Sequence, residues 1–168
     1  MEKVEQVLDI EVSAYMAEKI TSMVDDMGRK KVLRFALNST GGSSRHGFAI
    51  YDYLKSLDID IEITAIGECS SAAVLVLMAA SKRIVGRHTE LTIHPPKFVD
   101  HKGKTTRSSR SKILRMLGVE SAISLYKSVQ RYDATLKENG VNLSSKKVVT
   151  LDGYGALKAG IATELLPN

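Results

Sequence analysis

Residues 65–85 read AIGECSSAAVLVLMAASKRIV, and the order of residue types in this stretch decides the fold. It opens on the end of an alternating run, residues 61–66, in which Glu62 and Thr64 fall between apolar neighbours. That period of two predicts a half-buried strand. Residues 67–71, GECSS, form a junction of small and polar residues. Residues 72–80 are apolar on every face of a helix, which predicts a buried helix rather than a surface one. Residues 82–85 return to a short strand pattern. A strand, a buried helix and a second strand in succession make a crossover unit, so the class is α/β.

The neighbouring segments extend that alternation. Upstream, Tyr15, Met16, Ile20, Met23, Val24 and Met27 recur at helical spacing over residues 13–27, with Ser13 as N-cap and Gly28 at the end. Residues 31–37, KVLRFAL, predict a strand. The Gly-rich turn NSTGGSS follows at 38–44, then a helix over 45–57. Downstream, residues 91–93 predict a strand closed by His94-Pro95-Pro96. Residues 100–110 read as a polar, flexible segment, and 113–137 as a long helix ended by Asn139-Gly140. A short turn or helix is expected over 143–148. Asp152 can cap a last helix, 153–159, with Gly160 at its end.

Composition bounds the function. The 168 residues are 43% hydrophobic and hold 3 prolines, which excludes disordered and collagen-like classes and fits one domain spanning residues 1–168. A chain of about 150 residues buries ~70% of its unfolded surface, so no disulfide or metal is needed to fold it. The single cysteine, Cys69, excludes an intrachain disulfide. Residues 1–5 lack the apolar core of a signal peptide, and residues 72–80 fall far short of a membrane span of ~20 residues. The expectation is a soluble, cytoplasmic protein. The net charge of +5 includes a basic run at Lys102, Lys104, Arg107, Arg110 and Lys112. No aromatic residues interleave with it for base stacking, so it reads as a solvated loop and no nucleic-acid partner is expected.

Three places carry residues suited to chemistry. Gly41 and Gly42 let the backbone adopt positive φ and point amide N–H groups at a developing negative charge, although a plain strand-to-helix turn uses the same residues. Ser71 opens the buried helix, where unpaired N–H groups and the positive end of the dipole gather. Its plainer role there is an N-cap, and Cys69 and Ser70 are rival nucleophiles. His94 stands at a rigid strand end suited to a general base. His46, His88 and His101 lie in polar turns and read as surface residues. No two histidines or cysteines have metal-ligand spacing, so no metal and no cofactor are expected.

Together these segments resemble the Clp-type (ClpP) serine peptidases of the ClpP/crotonase fold. The resemblance rests on LNSTGGSSRHGFAIYDYL at 37–54, AIGECSSAAVLVLMAASKRIV at 65–85 and LTIHPP at 91–96. SKILRMLG at 111–118 resembles the start of the family's handle helix, and ALKAGIATELL at 156–166 its closing helix and strand. The resemblance implies a spiral of β-β-α units with a protruding handle over about residues 97–140. It implies Ser71 as nucleophile, His94 as general base, and the backbone N–H groups of Gly42 and Ala72 as oxyanion donors. It implies a peptide or unfolded protein substrate laid as an added strand between Ser43 and Ser44 on one side and Pro96, Lys97 and Phe98 on the other. It further implies a homo-oligomeric ring with an AAA+ ATPase partner.

Two departures from the family pattern stand out. Counting back from Ala156, the triad acid falls near Val148, where no acid stands, and Asp152 occupies a helix-cap position. Asp100, Asp133 and Glu138 are other acids that folding could bring near His94; the third triad residue is unassigned. The axial loop before Asn38 is expected to be shortened or missing, and the handle pattern runs on through Tyr126, Tyr132 and Leu136. Short relatives among phage head-maturation peptidases share this compactness. Two functions follow as expectations: a serine endopeptidase acting through an acyl-enzyme, or a catalytically weak ring subunit with a structural or regulatory role. A crotonase-type acyl-CoA enzyme shares the fold, and the Ser71/His94 pair argues against it.

Overall fold

Each apolar stretch in the first half of the chain folds as its period requires. The computed structural model describes residues 6–29, 31–94, 98–99, 105–106, 127–141, 143 and 147–167. In chain order the elements are β1 (Val7–Asp9), α1 (Ala14–Asp26), β2 (Val32–Ser39), α2 (Ser44–Ser56), β3 (Asp60–Cys69), α3 (Ala72–Met78), β4 (Lys82–Val85), β5 (Leu91–Ile93), β6 (Phe98–Val99), β7 (Thr105–Thr106), α4 (residues 127–138), β8 (Val149–Leu151), α5 (Gly153–Lys158) and β9 (Glu164–Leu165). The class is α/β, with a parallel sheet ordered β1-β2-β3-β4-β9.

Capping follows the sequence closely. The Ser13 hydroxyl accepts from the Met16 N–H, the Ser43 hydroxyl from His46, and Asp152 from Gly155 at 2.7 Å. Asp152 is therefore a helix cap, as its position implied. Every residue of α3 is buried, and the core continues through Phe35, Leu37, Ile63, Leu91 and Ile93.

Besides β1, for which no strand was expected, four features depart from the expectations. First, β3 does not stop at Ile66 but runs to Cys69. Its register against β2 shifts between Leu37↔Ala65 and Ser39↔Cys69, a bulge centred on Gly67 at φ 61°. The Asn38 side chain accepts the Glu68 N–H at 2.9 Å and so holds the bulge in place. Second, residues 149–151 form β8, antiparallel to β5, where no strand was expected. Third, Thr105–Thr106, inside the segment read as polar and flexible, pairs as an antiparallel ladder with Phe98–Val99 just before it. Fourth, His46 is half-buried rather than a surface residue, with its Nδ1 enclosed.

Of the long helix expected over 113–137, residues 127–138 are helical, and Gly140 follows at φ 78°. The basic run, His101, Asp100, Pro95, Pro96, Lys97 and the rest of the handle region lie outside the described residues, as does most of 143–148. Within the described residues α4 packs on α2. Arg131 pairs with Asp52 and stacks over the Phe48 ring at 4.3 Å, and Asn139 donates to the Tyr51 hydroxyl. No helix among the described residues is long and apolar enough to cross a membrane.

Candidate active site

The site is built where parallel strands end side by side. Ser39 of β2 and Cys69 of β3 are register partners, so Gly41 and Ser71, each two residues further on, meet beyond the sheet. They meet closely: a Cβ on Gly41 would lie 2.6 Å from the Ser71 Cβ, 2.7 Å from the Ser70 carbonyl and 3.1 Å from the Ala72 nitrogen. Only glycine fits there, at φ 101°.

The turn is held from its other side by Val12. The Val12 N–H donates to the Gly41 carbonyl at 2.7 Å, and the Val12 carbonyl accepts the Ser43 N–H at 2.9 Å. In a trans peptide the C=O and N–H point in opposite directions. The Gly42 N–H therefore points away from Val12, toward the side of the sheet on which β3 ends. Ala72 is the first residue of α3, so its N–H has no partner within the helix. The Gly-rich turn thus packs against the Ser71 Cβ, and the helix-start N–H of Ala72 follows Ser71 directly.

Ser71 is the non-glycine residue with positive φ among the described residues, at φ 55° and ψ −123°. Its hydroxyl makes no capping bond, so the N-cap role is not the one it plays. Three hydrogen bonds hold its backbone. Its N–H donates to the Thr92 carbonyl at 2.7 Å; its own carbonyl accepts from the Val74 N–H at 3.1 Å and from the Tyr132 hydroxyl at 2.9 Å. A strained conformation persists only where its surroundings over-determine it, and such strain clusters at functional sites.

The rival nucleophiles are otherwise engaged. Cys69 is fully buried, and that burial pushes its thiol up to about 12, with Glu68 adding to the rise. Ser70 is buried and its hydroxyl accepts the Thr92 N–H at 3.2 Å. Ser71 is half-buried.

His94 is placed by the same strand that holds Ser71. The tail of β3 runs parallel to residues 90–92: Cys69 donates to the Glu90 carbonyl, Ser71 to that of Thr92. His94 follows β5 two residues after Thr92 and is half-buried. On its other edge β5 pairs antiparallel with β8, Thr92↔Thr150 and Ile93↔Val149. Continued by one residue, that register sets Val148 opposite His94. Val148 is 50% exposed, an apolar side chain in open surroundings. Asp152 lies beyond the far end of that ladder, past Leu151↔Leu91. Asp133 and Glu138 lie on α4, and Asp133 follows Tyr132. Among the described residues no group of His, Cys, Asp and Glu could hold a metal ion.

Residues 3–117 match the model of the Clp protease family. The chain belongs to that family. It is 27% identical over 169 residues to ATP-dependent Clp protease proteolytic subunit 2 of Treponema pallidum, an alignment covering 93% of this chain and 78% of that one. It is 36% identical over 69 residues to the subunit 2 of Chlamydia abortus, where the match spans 40% of this chain and 34% of the relative. Among solved structures, a ClpP1 mutant from Listeria monocytogenes superposes with a TM-score of 0.74 at 19% identity, covering 96% of this chain and 90% of that one. That likeness shows the fold, so the mixed α/β architecture is that of a Clp proteolytic subunit.

Sequence reading missed two contributors to this corner of the family's fold. Tyr132 counted only as an apolar position on the handle helix, yet its hydroxyl reaches the Ser71 carbonyl. Thr92 counted only as part of the strand leading to His94, yet its backbone holds both Ser70 and Ser71. The three-residue alternation around Thr92 marked a strand, but nothing local marked its partner.

Proposed function

We propose that this chain is a serine endopeptidase subunit in which Ser71 attacks the scissile carbonyl and His94 takes its proton. The observation that carries this reading is the strained backbone of Ser71 just past the end of β3, with its hydroxyl released from capping and the Gly-rich turn packed against it. The Ser71 oxygen forms an ester bond to the acyl half, and the negative charge on the former carbonyl oxygen rests on the Gly42 and Ala72 N–H groups. The imidazolium returns the proton to the leaving amine as the peptide C–N bond breaks. Water, deprotonated by His94, then hydrolyses the ester and frees Ser71. Substrate lies as an added strand beside Ser43 and Ser44, with Pro96 and Lys97 on its other flank. A single domain over 1–168 with a handle over about 97–140 assembles as a homo-oligomeric ring, fed by an AAA+ ATPase in the cytoplasm.

Val148 favours a second reading, a weakly active or inactive ring subunit. The residue opposite His94 is apolar where the family pattern puts an acid, and replacing the triad Asp of one serine protease lowered turnover about 10⁴-fold. Fluorophosphonate labelling of the assembled protein, followed by peptide mapping, tests the first reading. Modification at Ser71 that is absent in Ser71→Ala supports it. A protein that resists the probe is the inactive subunit.

A further inference from the structure

The Tyr132 hydroxyl reaches across from α4 and donates to the Ser71 carbonyl at 2.9 Å. Its ring is almost fully buried, at 5% exposure, within the cluster that holds Cys69, Ala72 and Leu136. Burial, with the Cys69 and Asp133 charges adding to it, drives its hydroxyl well above the ordinary tyrosine range. The hydroxyl thus remains a donor at every working pH.

The Ser71 carbonyl and the Ala72 N–H belong to one planar peptide unit and point in opposite directions. Whatever fixes the oxygen fixes the direction of the N–H. The helix supplies one donor to that oxygen, the Val74 N–H at 3.1 Å. Tyr132 supplies the second, from outside the helix, and a donor on the oxygen also polarises the N–H at the other end of the unit. The Ser71 N–H, fixed by Thr92, closes the other side of the strained residue.

We infer that Tyr132 is a positioning residue: it holds the 71–72 peptide plane so that the Ala72 N–H is aimed at the oxyanion, tying the handle helix to the chemistry. This rests on the reading of Ser71 as nucleophile. Tyr132 never touches substrate. It acts on the transition state through a backbone group, so its loss should slow acylation without weakening substrate binding.

The experiment compares the intact wild-type protein, Ser71→Ala and Tyr132→Phe in fluorophosphonate labelling, reading three quantities: the maximal labelling rate, the half-saturating probe concentration and the fraction finally labelled. Removing an oxyanion donor costs ~10²–10³ in rate, and misaiming one costs a part of that. For Tyr132→Phe we expect a maximal rate about tenfold lower, with half-saturation, final fraction and the pH midpoint of the rate unchanged. A second variant carries 3-fluorotyrosine at position 132, which keeps ring and donor, and is expected to label at the wild-type rate. Labelling of Tyr132→Phe at the wild-type rate overturns the inference while leaving Ser71 as nucleophile. So does a fall in rate accompanied by a smaller labelled fraction and a lower melting temperature, which marks Tyr132 as packing alone. A 3-fluorotyrosine variant as slow as Tyr132→Phe overturns it too. A wild-type protein that is not labelled at Ser71 removes the nucleophile reading and this inference with it.

Discussion

The amide N–H of Ser71 donates to the carbonyl of Thr92 at 2.7 Å, and this bond joins the two halves of the candidate site. Ser71 belongs to the strand–helix junction, Thr92 to the strand that leads into His94. Because the Thr92 N–H also donates to the Ser70 hydroxyl, the two segments are pinned by a pair of bonds rather than one. Any displacement of β5 would move His94 and Ser71 together, which preserves their relation.

Gly41 should tolerate no side chain. A methyl there would lie 2.6 Å from the Ser71 Cβ and 2.7 Å from the Ser70 carbonyl, and φ is 101°. Gly41→Ala is expected to lower the fluorophosphonate labelling rate at least about 100-fold, a loss of the size seen when an oxyanion donor is removed. Gly28 makes the control. It also has positive φ, at 58°, but an added Cβ meets nothing within 4 Å. Gly28→Ala should cost only about 1 kcal/mol of stability and leave labelling unchanged. Equal labelling by the two variants would refute the close approach of the turn to Ser71.

A carboxylate at position 148 should raise activity. The β5–β8 register, continued by one residue, places Val148 opposite His94, and half of its surface is already exposed, so an aspartate costs little desolvation there. Val148→Asp would offer the imidazole a charge-assisted acceptor. Peptide hydrolysis is expected to increase about tenfold or more, against the ~10⁴-fold effect of a triad aspartate in another serine protease. No change in the rate of hydrolysis would mean that the register does not bring position 148 to His94.

Legibility tracked how local each cause was. α3 was readable because seven consecutive buried residues need no partner to announce them. The end of β3 was not, because Gly67 read as a break while the Asn38 side chain, far off in sequence, turns it into a bulge. β8 escaped notice for a similar reason: three residues, VTL, become a strand only through pairing with β5. The glycines, Ser71 and His94 were visible as residue types in order. The burial of Cys69 and the engagement of Ser70 by Thr92, which support the proposed role of Ser71 over its neighbours, are both products of tertiary contact.

Cys69 should be silent toward thiol reagents in the folded protein. It is fully buried and its thiol is pushed up to about 12 from 9.0. The folded state therefore holds this proton more tightly than the unfolded state does. Stability from this group is intact below about pH 9 and declines as pH rises from there toward 12, by up to ~1.4 kcal/mol per pH unit. Cys69→Ala should unfold less steeply with pH in urea titrations between pH 9 and 11. The remaining slope includes Tyr132, whose hydroxyl is shifted in the same direction. Rapid reaction of the native protein with a disulfide reagent at pH 8 would contradict the burial of Cys69.

Arg83 should be the main stability anchor of the chain's closing segment. Its Nε donates to the Ile161 carbonyl at 2.7 Å, and its two terminal nitrogens donate to Ala80 at 3.1 Å and Gly160 at 3.3 Å. Its backbone meanwhile exchanges bonds with Thr163, which leads into β9. One planar guanidinium thus gathers the carbonyls that follow α5 and α3, a geometry lysine cannot reproduce with a single ammonium. Hydrogen bonds to a charged group contribute about 1.5–3 kcal/mol each, and removing the side chain leaves partly buried carbonyls unpaired. Arg83→Met is expected to destabilise by about 3 kcal/mol in urea unfolding, and Arg83→Lys to recover less than half of that. Because Arg83 lies on β4, away from Ser71, Arg83→Met protein that remains folded should keep its labelling rate. A full recovery by lysine would show that charge, rather than the three-way fork, holds β9 to β4.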